Sequence, residues 1–375
     1  MKNIIFFLVI PIVIIAAGFG YRYFAVGEPN EKVYIAVEGD GKIAVLDPAA
    51  GKIINTIDLT VEHGGDIMHY APHNVQVSPD MKTVWVTANA GGHQDHASAI
   101  MPRALAHGEE ESGEDVDEIV VIDTRYDRII KRIPIGAGVH LAHVVLTPDG
   151  FFALVTAQIQ GMIYKINTKT FVIENRLLMP VAKTNGSQEP HGIRVSPDGS
   201  SAYIAGLKGK SMGIFDLKSD TISAIPLGGA AVATGVTPDG KIAMASLYDT
   251  KQLALYFPET KEVKTIQLPA SAKGPVQMYP TGDSKFVYLA DQGYYFDAPE
   301  SEWVYKIDLQ KMEVAKEIKA GRGPHGVAMS PDGERVYITN LLSGDVSVVG
   351  TAEDKEINRI KVGKEPNGIS VWIKK

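Results

Sequence analysis

The feature of this 375-residue chain that most restricts its fold is a short pattern that recurs seven times. A typical copy is Pro190-His191-Gly192, followed by a few apolar residues and then by Pro197-Asp198-Gly199. The second prolines of six copies are spaced 41 to 69 residues apart, at Pro79, Pro148, Pro197, Pro238, Pro280 and Pro331. Self-similarity at roughly 40–50 residues predicts stacked supersecondary units that cannot bury their faces alone.

Each repeat contains several short runs rich in β-branched and aromatic residues, such as residues 83–87, 119–123 and 128–133. Runs of this kind, bounded by Gly, Pro, Asp and Asn, predict strands and turns. No segment after residue 30 shows a sustained 3.6-residue apolar period, so we expect little helix. Four strands per repeat form an antiparallel meander, and radial repetition of such sheets gives a β-propeller.

The strand count also predicts how the ring closes. The first unit has only three strands, at residues 32–37, 42–46 and 52–59, and the chain ends with one lone strand at 368–373. That lone strand is expected to complete the first sheet. The prediction is an all-β, seven-bladed β-propeller of four-stranded antiparallel blades, spanning residues 31–375 and closed by its C-terminal strand.

One of these runs, Tyr337-Ile338-Thr339-Asn340, nearly spells a known signature. The repeats resemble the YVTN-type family of seven-bladed propellers over roughly residues 31–375. They are similar to the propeller domains of cytochrome-type nitrite reductase and nitrous-oxide reductase. The resemblance implies a ring whose channel mouth can hold a metal or haem. Fold likeness alone does not transfer function, so the chemistry must be argued from residues.

The amino-acid composition argues against several classes of function and site. The net charge of −7 and the isoelectric point near 5.8 argue against a nucleic-acid partner. The chain has no cysteine, which excludes disulfides, thiolate metal sites and covalent c-type haem attachment. It also lacks the cysteine-containing copper domain and the c-type haem domain of the similar reductases. We therefore lean against redox catalysis, because an electron entry route is missing from this sequence.

The N-terminus carries an apolar run at residues 4–21, preceded by Lys2 and followed by an aromatic segment at 21–24. Its length suits a transmembrane helix, and the flanking aromatic residues suit an interfacial anchor. A cleaved signal peptide is the alternative, because Ala16-Ala17-Gly18 offers small residues. We expect residues 1–24 to be the anchor or signal segment and 25–30 a linker. In either case the propeller would lie on the periplasmic or cell-surface side of the cytoplasmic membrane, tethered to the membrane or secreted.

The ten histidines carry the functional prediction. In an antiparallel meander, the loop before strand one and the loop between strands two and three lie on the same face, opposite the Pro-Asp-Gly turns. All ten histidines map to that first face. His73, His191 and His325 share one repeat position, Asn367 fills it in the first blade, and His143 is offset by one residue. The predicted metal ligands at the channel mouth are His69, His73, His140, His143, His191 and His325.

A second candidate site lies in a long insertion of the second blade, residues 89–118. It carries His93, Asp95, His96 and His107 among many acidic residues. Short histidine-rich tracts bind divalent metals, whereas a solvated acidic loop is the plainer interpretation. Without thiolate ligands, imidazole and carboxylate favour copper or zinc, with iron as a further option and non-covalent haem left open.

The sequence thus predicts a membrane-tethered periplasmic propeller that binds, senses or delivers a transition metal. Its expected partners are the inner membrane and a periplasmic redox or metal-handling protein. Two alternatives stay open. One is a reductase-like or lactonase-like enzyme that uses the same face. The other is a protein-interaction scaffold in which Pro-His-Gly is only turn chemistry.

Overall fold

The computed structural model describes residues 29–63, 66–91, 116–180, 188–295 and 297–375. These residues form seven four-stranded antiparallel sheets and one two-stranded hairpin. The predicted all-β, seven-bladed propeller is therefore confirmed. The only helical element among these residues is a 3₁₀ turn at Glu38–Asp40.

The first three blades and the hairpin occupy the first half of the chain. Blade one begins with β1 (Glu31–Val37), β2 (Lys42–Asp47) and β3 (Lys52–Asp58). The hairpin of β4 (Val61–His63) and β5 (Asp66–Met68) leads into blade two, which contains β6 (Tyr70–Val77), β7 (Thr83–Ala90), β8 (Val116–Asp123) and β9 (Arg128–Ala137). Blade three contains β10 (Leu141–Leu146), β11 (Phe152–Ala157), β12 (Met162–Asn167) and β13 (Ile173–Leu178).

Four more blades and the closing strand follow. Blade four contains β14 (Pro190–Val195), β15 (Ser201–Gly206), β16 (Ser211–Asp216) and β17 (Thr221–Pro226). Blade five contains β18 (Ala231–Val236), β19 (Ala243–Leu247), β20 (Gln252–Phe257) and β21 (Glu262–Gln267). Blade six contains β22 (Pro275–Pro280), β23 (Phe286–Gly293), β24 (Glu300–Asp308) and β25 (Glu313–Lys319). Blade seven contains β26 (Pro324–Met329), β27 (Arg335–Asn340), β28 (Asp345–Gly350) and β29 (Lys355–Lys361), and the chain ends with β30 (Pro366–Ile373).

Strand β30 closes the ring, as predicted. It pairs with β1 and becomes the innermost strand of blade one, so the sheet reads β3-β2-β1-β30. The buried Trp372 anchors this strand, and its indole N–H donates to the Met81 carbonyl of blade two at 2.7 Å. The Ser370 hydroxyl accepts the Val77 N–H of the same neighbouring blade at 3.0 Å. The first and last strands are thereby joined in one sheet, and the inner edge of β1 is covered.

Burial falls from the channel outward. The inner strand β10 is buried at every residue, whereas the outer strand β29 buries only Ile360 fully. The apolar clusters lie between neighbouring blades, as where Tyr34 of blade one packs with Val86 of blade two. The inner strands therefore meet around a central channel, which is where residues at the start of each strand become neighbours.

The Pro-Asp-Gly turns lie at the opposite end of the inner strands from the histidines. In blade four, the Ser196 hydroxyl donates to Asp198, and Gly199 adopts the left-handed conformation with φ of 71°. This hydroxyl holds the pKa of Asp198 below its usual range. The same bonds recur in the other turns, so the carboxylates at this end are fixed by the turns themselves.

The predicted N-terminal anchor, residues 1–24, and part of the linker lie outside the described residues. Among the residues that the structure does describe, no helix is long and apolar enough to cross a membrane.

Candidate functional site

The inner strands begin with a β-bulge, at which two residues lie opposite one residue of the second strand. In blade two, His73 and Asn74 both lie opposite Thr87. The same shift of register occurs in blades three to seven and where β30 pairs with β1. The first bulge residue is a histidine in three blades, namely His73, His191 and His325. In blade three the second bulge residue is the histidine, His143, as its one-residue offset predicted.

Threonines on the second strands hold the bulges in place. The Thr156 hydroxyl accepts the His143 N–H at 3.0 Å and lies 2.6 Å from the His191 carbonyl of the next blade, to which it donates. Thr87 and Thr339 make the equivalent bonds in blades two and seven. Each hydroxyl therefore satisfies a backbone N–H that the bulge removes from the ladder and ties one blade to the next. This explains the threonine of the Tyr-Ile-Thr-Asn motif.

These bulges, together with His140 just before β10, bring five imidazoles together. The His73 ring centroid lies 5.6 Å from that of His191, 5.8 Å from His140, 6.2 Å from His143 and 6.3 Å from His325. The His143 and His191 centroids are 5.2 Å apart. One ring nitrogen each of His73, His143 and His191 lies within 4.8 Å of the others. We call these five residues the histidine cluster.

Three of the rings are oriented through Nδ1. His191 Nδ1 donates to the Val232 carbonyl at 2.9 Å, and His325 Nδ1 donates to Gln292 Oε1 at 2.7 Å. His73 Nδ1 lies 3.3 Å from Glu38 Oε1. Because a carbonyl or amide oxygen can only accept, Nδ1 of His191 and His325 carries the proton, which leaves their Nε2 as the electron-pair donor, as in most histidine metal sites.

Glu38 is positioned from the first blade. It belongs to the 3₁₀ turn Glu38–Asp40, is 3% exposed, and accepts a hydrogen bond from Asn367 Nδ2 at 2.7 Å. The Asn367 amide nitrogen also lies 3.0 Å from His73 Nδ1. Blade one therefore supplies no histidine to the cluster, but it supplies the carboxylate and amide that orient His73.

His143 has a different environment. It is 2% exposed, and among the described residues neither of its ring nitrogens has a hydrogen-bond partner. Burial holds the pKa of His143 well below its usual range, and neighbouring His191 and Arg194 lower it further. A buried polar group without a partner is costly, so its retention asks for an explanation.

His191 is also held neutral. Burial lowers its pKa well below the usual range, with His73 and His140 adding to the effect, while the Val232 carbonyl partly opposes it. Metal-ligating imidazole must be neutral, so burial prepares both His143 and His191 for that role near pH 7.

The other predicted ligands fall in three places. His140 belongs to the cluster; its backbone is left-handed with φ of 53°, and its N–H donates to Asp117 Oδ2 at 2.8 Å. His69 is exposed and lies outside the cluster. The insertion residues His93, Asp95, His96 and His107 lie outside the described residues.

Two acidic residues assigned to the insertion belong to β8 instead. Asp117 is buried and accepts the Ala90 and His140 N–H groups, each at 2.8 Å. Glu118 pairs with Arg132. Burial raises the pKa of Glu118, although Arg132 opposes this. Both carboxylates therefore have structural partners and are not part of a solvated acidic loop.

Sequence reasoning missed Glu38 and Gln292. Each lies outside the repeated pattern: Glu38 follows β1, and Gln292 lies near the end of β23. The packing of neighbouring blades brings Glu38 to His73, 35 residues away, and Gln292 to His325, 33 residues away.

Fold and site together define a closed seven-bladed β-propeller with a histidine cluster on its channel. The sequence profile of the YNCE-like beta-propeller family matches residues 163–374, and the chain belongs to that family. A search of curated proteins by sequence gives no match.

Solved structures support the same fold. A functionally unknown protein from Desulfotomaculum acetoxidans superposes with a TM-score of 0.68 at 14% identity, covering 92% of this chain and 99% of that one. Kuenenia stuttgartiensis hydrazine synthase gives 0.61 at 16% identity, covering 80% and 89%. Dihydro-heme d1 dehydrogenase NirN, in complex with DHE, gives 0.59 at 14% identity, covering 91% and 75%. At these identities the likeness shows the fold alone, and function must come from the site.

Proposed function

We propose that the histidine cluster binds one transition-metal ion and that the protein binds, senses or delivers this ion. His73, His143 and His191 would be the ligands, with His325 or His140 completing the set. Imidazole ligands without thiolate favour copper(II) or zinc, and iron is a further option. The ion would supply a fixed positive charge and Lewis acidity at the channel, while the chain's own residues set its position.

The observation that carries this proposal is the convergence of three nitrogens within 4.8 Å from three different blades. Metal–imidazole bonds are about 2.0–2.1 Å long, so small side-chain rotations would bring these nitrogens around one ion. The Val232 carbonyl and Gln292 Oε1 already accept a hydrogen bond from Nδ1 of His191 and His325, which is the usual arrangement behind ligating histidines. An ion would also give His143 the partner that its ring nitrogens lack among the described residues.

Haem is the second candidate, because one of the similar folds is a dihydro-heme d1 dehydrogenase. The crowding of the cluster favours a small ion instead. Four other imidazoles lie within 6.3 Å of His73, which leaves little space for a macrocycle beside it. An optical spectrum of protein incubated with haem tests this directly, since ligation of haem iron by a histidine of the cluster would give a shifted Soret band.

We propose that residues 1–24 tether the propeller to the inner membrane on its periplasmic or cell-surface side. A periplasmic redox or metal-handling protein would then exchange the ion. Retention of the protein in the membrane fraction at high salt tests the tether. Release of a mature chain that lacks these residues would instead show that they are a cleaved signal peptide.

Isothermal titration of chelator-treated protein with copper(II) and zinc tests metal binding. We expect one ion per chain, bound more tightly than about 1 μM, which is about −8 kcal/mol. His73→Ala, His143→Ala and His191→Ala should each weaken binding by more than about 10–100-fold, the usual loss for groups that only support a ligand.

The exposed His69→Ala is the matched control and should leave affinity unchanged, and circular dichroism verifies that each variant folds. If His107→Ala alone abolishes binding, the site belongs to the insertion. If none of the cluster variants changes affinity, the proposal fails and a scaffold without metal is favoured.

A further inference from the structure

A cavity of about 910 Å³ opens at the Pro-Asp-Gly end of the channel, and none of the five histidines of the cluster lines it. Its wall includes one residue from each inner strand at the same register. In blade four this residue is Arg194, which pairs with Tyr203 of β15. The other blades place Gln76, Val145, Gly235, Tyr279, Ala328 and Ser370 at this position.

Arg194 carries a positive charge into this cavity. Its guanidinium donates to the Ile193 carbonyl at 3.3 Å, and among the described residues no carboxylate lies within ion-pair distance of it. Burial lowers the pKa of the Arg194 guanidinium from its usual value, although the side chain stays partly exposed along the cavity. An arginine stays charged, so the cavity is lined by a partly buried cation without a counterion from the described chain.

The carboxylates around the cavity are already engaged. Asp283 accepts the Thr281 hydroxyl at 2.6 Å and lies 3.5 Å from Lys285 Nζ. Asp332 accepts the Ser330 hydroxyl and lies 3.5 Å from an Arg335 nitrogen. They are held in their turns and do not neutralise Arg194.

The other cation of the wall is neutralised. Lys306 Nζ lies 2.8 Å from Asp354 Oδ1 and 2.9 Å from Oδ2. Of the described lysines and arginines that line this cavity, only Arg194 therefore lacks an acidic partner.

We propose that Arg194 anchors a second ligand site, which binds a small organic acid through its carboxylate. The guanidinium fork matches a carboxylate with two parallel hydrogen bonds. The volume falls within the usual range for small-molecule pockets, roughly 300–1,000 Å³. Much of the wall is apolar, including Val145 and Met329, so an apolar body attached to the carboxylate fits it better than a bare inorganic anion.

The ring places the space for that body opposite Arg194. In a seven-membered ring, blades seven and one lie across from blade four. They contribute the small residues Ala328 and Ser370 at this register, and the neighbouring blade five contributes Gly235. The body of the ligand would therefore extend from Arg194 across the channel.

Binding of hexanoate to full-length, chelator-treated protein tests this site independently of any metal. Hexanoate should bind and raise the melting temperature, whereas hexanamide, its neutral analogue, should not. Arg194→Gln should weaken hexanoate binding by at least about tenfold, the usual loss for a charge-assisted hydrogen bond. Arg322→Gln, which removes an exposed arginine paired with Glu300, is the matched control and should bind like the unmodified protein.

Three outcomes would overturn the proposal: equal binding by Arg194→Gln, equal binding of hexanamide, or binding of inorganic phosphate without binding of hexanoate. If Arg194→Gln does not fold, Arg194→Lys serves in its place. It retains the charge without the fork and should also bind hexanoate more weakly. Because no metal is present, failure here leaves the proposed metal site untouched, and failure of the metal site leaves this result standing.

Discussion

Blades two and five build the same backbone at the channel and fill it with different side chains. Both inner strands carry the bulge. In both, a hydroxyl of the second strand accepts the N–H of the second bulge residue. This hydroxyl belongs to Thr87 in blade two and to Ser246 in blade five. Blade two places His73 at the first bulge position, where blade five has the apolar Val232. The bulge therefore does not require histidine.

The comparison separates the two halves of the Pro-His-Gly motif. A Cβ atom on Gly192 would lie 2.5 Å from Ala233 Cα, and one on Gly326 would lie 2.3 Å from the Asn367 carbonyl oxygen. Glycine is thus needed where the next inner strand approaches closely. The histidine before this glycine has no such packing requirement. Its presence is therefore not explained mainly by turn chemistry, and a role for the imidazole ring is favoured.

The largest expected effect comes from breaking the scaffold that all blades share. Deleting residues 366–375 removes β30 and exposes the edge of β1. The loss of Trp372 alone should cost about 3–5 kcal/mol of stability, and the exposed edge adds a route to aggregation. Size-exclusion chromatography and a thermal melt would report aggregation and a strongly lowered melting temperature.

Deleting only residues 374–375 is the control for this truncation, because it keeps β30 whole. We expect this shorter deletion to change the melting temperature little. A monomeric protein with an unchanged melt after the larger deletion would show that blade one does not depend on its closing strand, contrary to the structure.

A smaller effect should appear in the pH dependence of the metal-free protein. The pKa values of His143 and His191 are lowered in the folded state, so the unfolded chain binds more protons below about pH 6.5. Stability should therefore be flat above that pH and fall as the pH drops below it, by up to about 1.4 kcal/mol per pH unit for each group.

Several neighbours act on these two rings. His73 and His325 disfavour protonation of both, Arg194 disfavours that of His143, and His140 disfavours that of His191. Replacing the pair with apolar residues, as in His143→Leu/His191→Val, should flatten the stability profile between pH 6.5 and 5. The turn aspartates act elsewhere: their lowered pKa values contribute stability that is lost only below about pH 3.8. An unchanged slope in the double variant, measured by denaturant titration, would contradict the assignment.

The repeat determines the fold well enough to be read from sequence, because each unit carries its own turn and strands. The closing strand could be predicted since three strands at one end and one at the other complete a blade. His73, His191 and His325 could be aligned by repeat position, and His143 by its offset. Glu38 could not be found in this way, because its contact with His73 exists only once β1 and β6 lie side by side in the ring. Arg194 could not be singled out from the sequence either. Its lack of an acidic partner depends on the residues that the other six blades place at the same register.

The smallest expected effect concerns whether His143 in blade three lowers the stability of the metal-free protein. In metal-free protein at pH 8, where His143 is neutral in both states, His143→Leu exchanges two buried nitrogens without partners among the described residues for an apolar side chain of similar size. An unsatisfied buried polar group costs about 1–3 kcal/mol, so this variant should be as stable as the unmodified protein or more stable by about 1 kcal/mol, while losing metal affinity. Val276→Ala in blade six is the control for an ordinary buried side chain near the channel and should lose stability, because it only removes apolar contacts. Denaturant titrations of the three proteins would decide the matter. If His143→Leu lowered the free energy of unfolding by more than about 2 kcal/mol, the His143 imidazole would be a packing element. The bulge of blade three would then serve packing, as the bulge of blade five does.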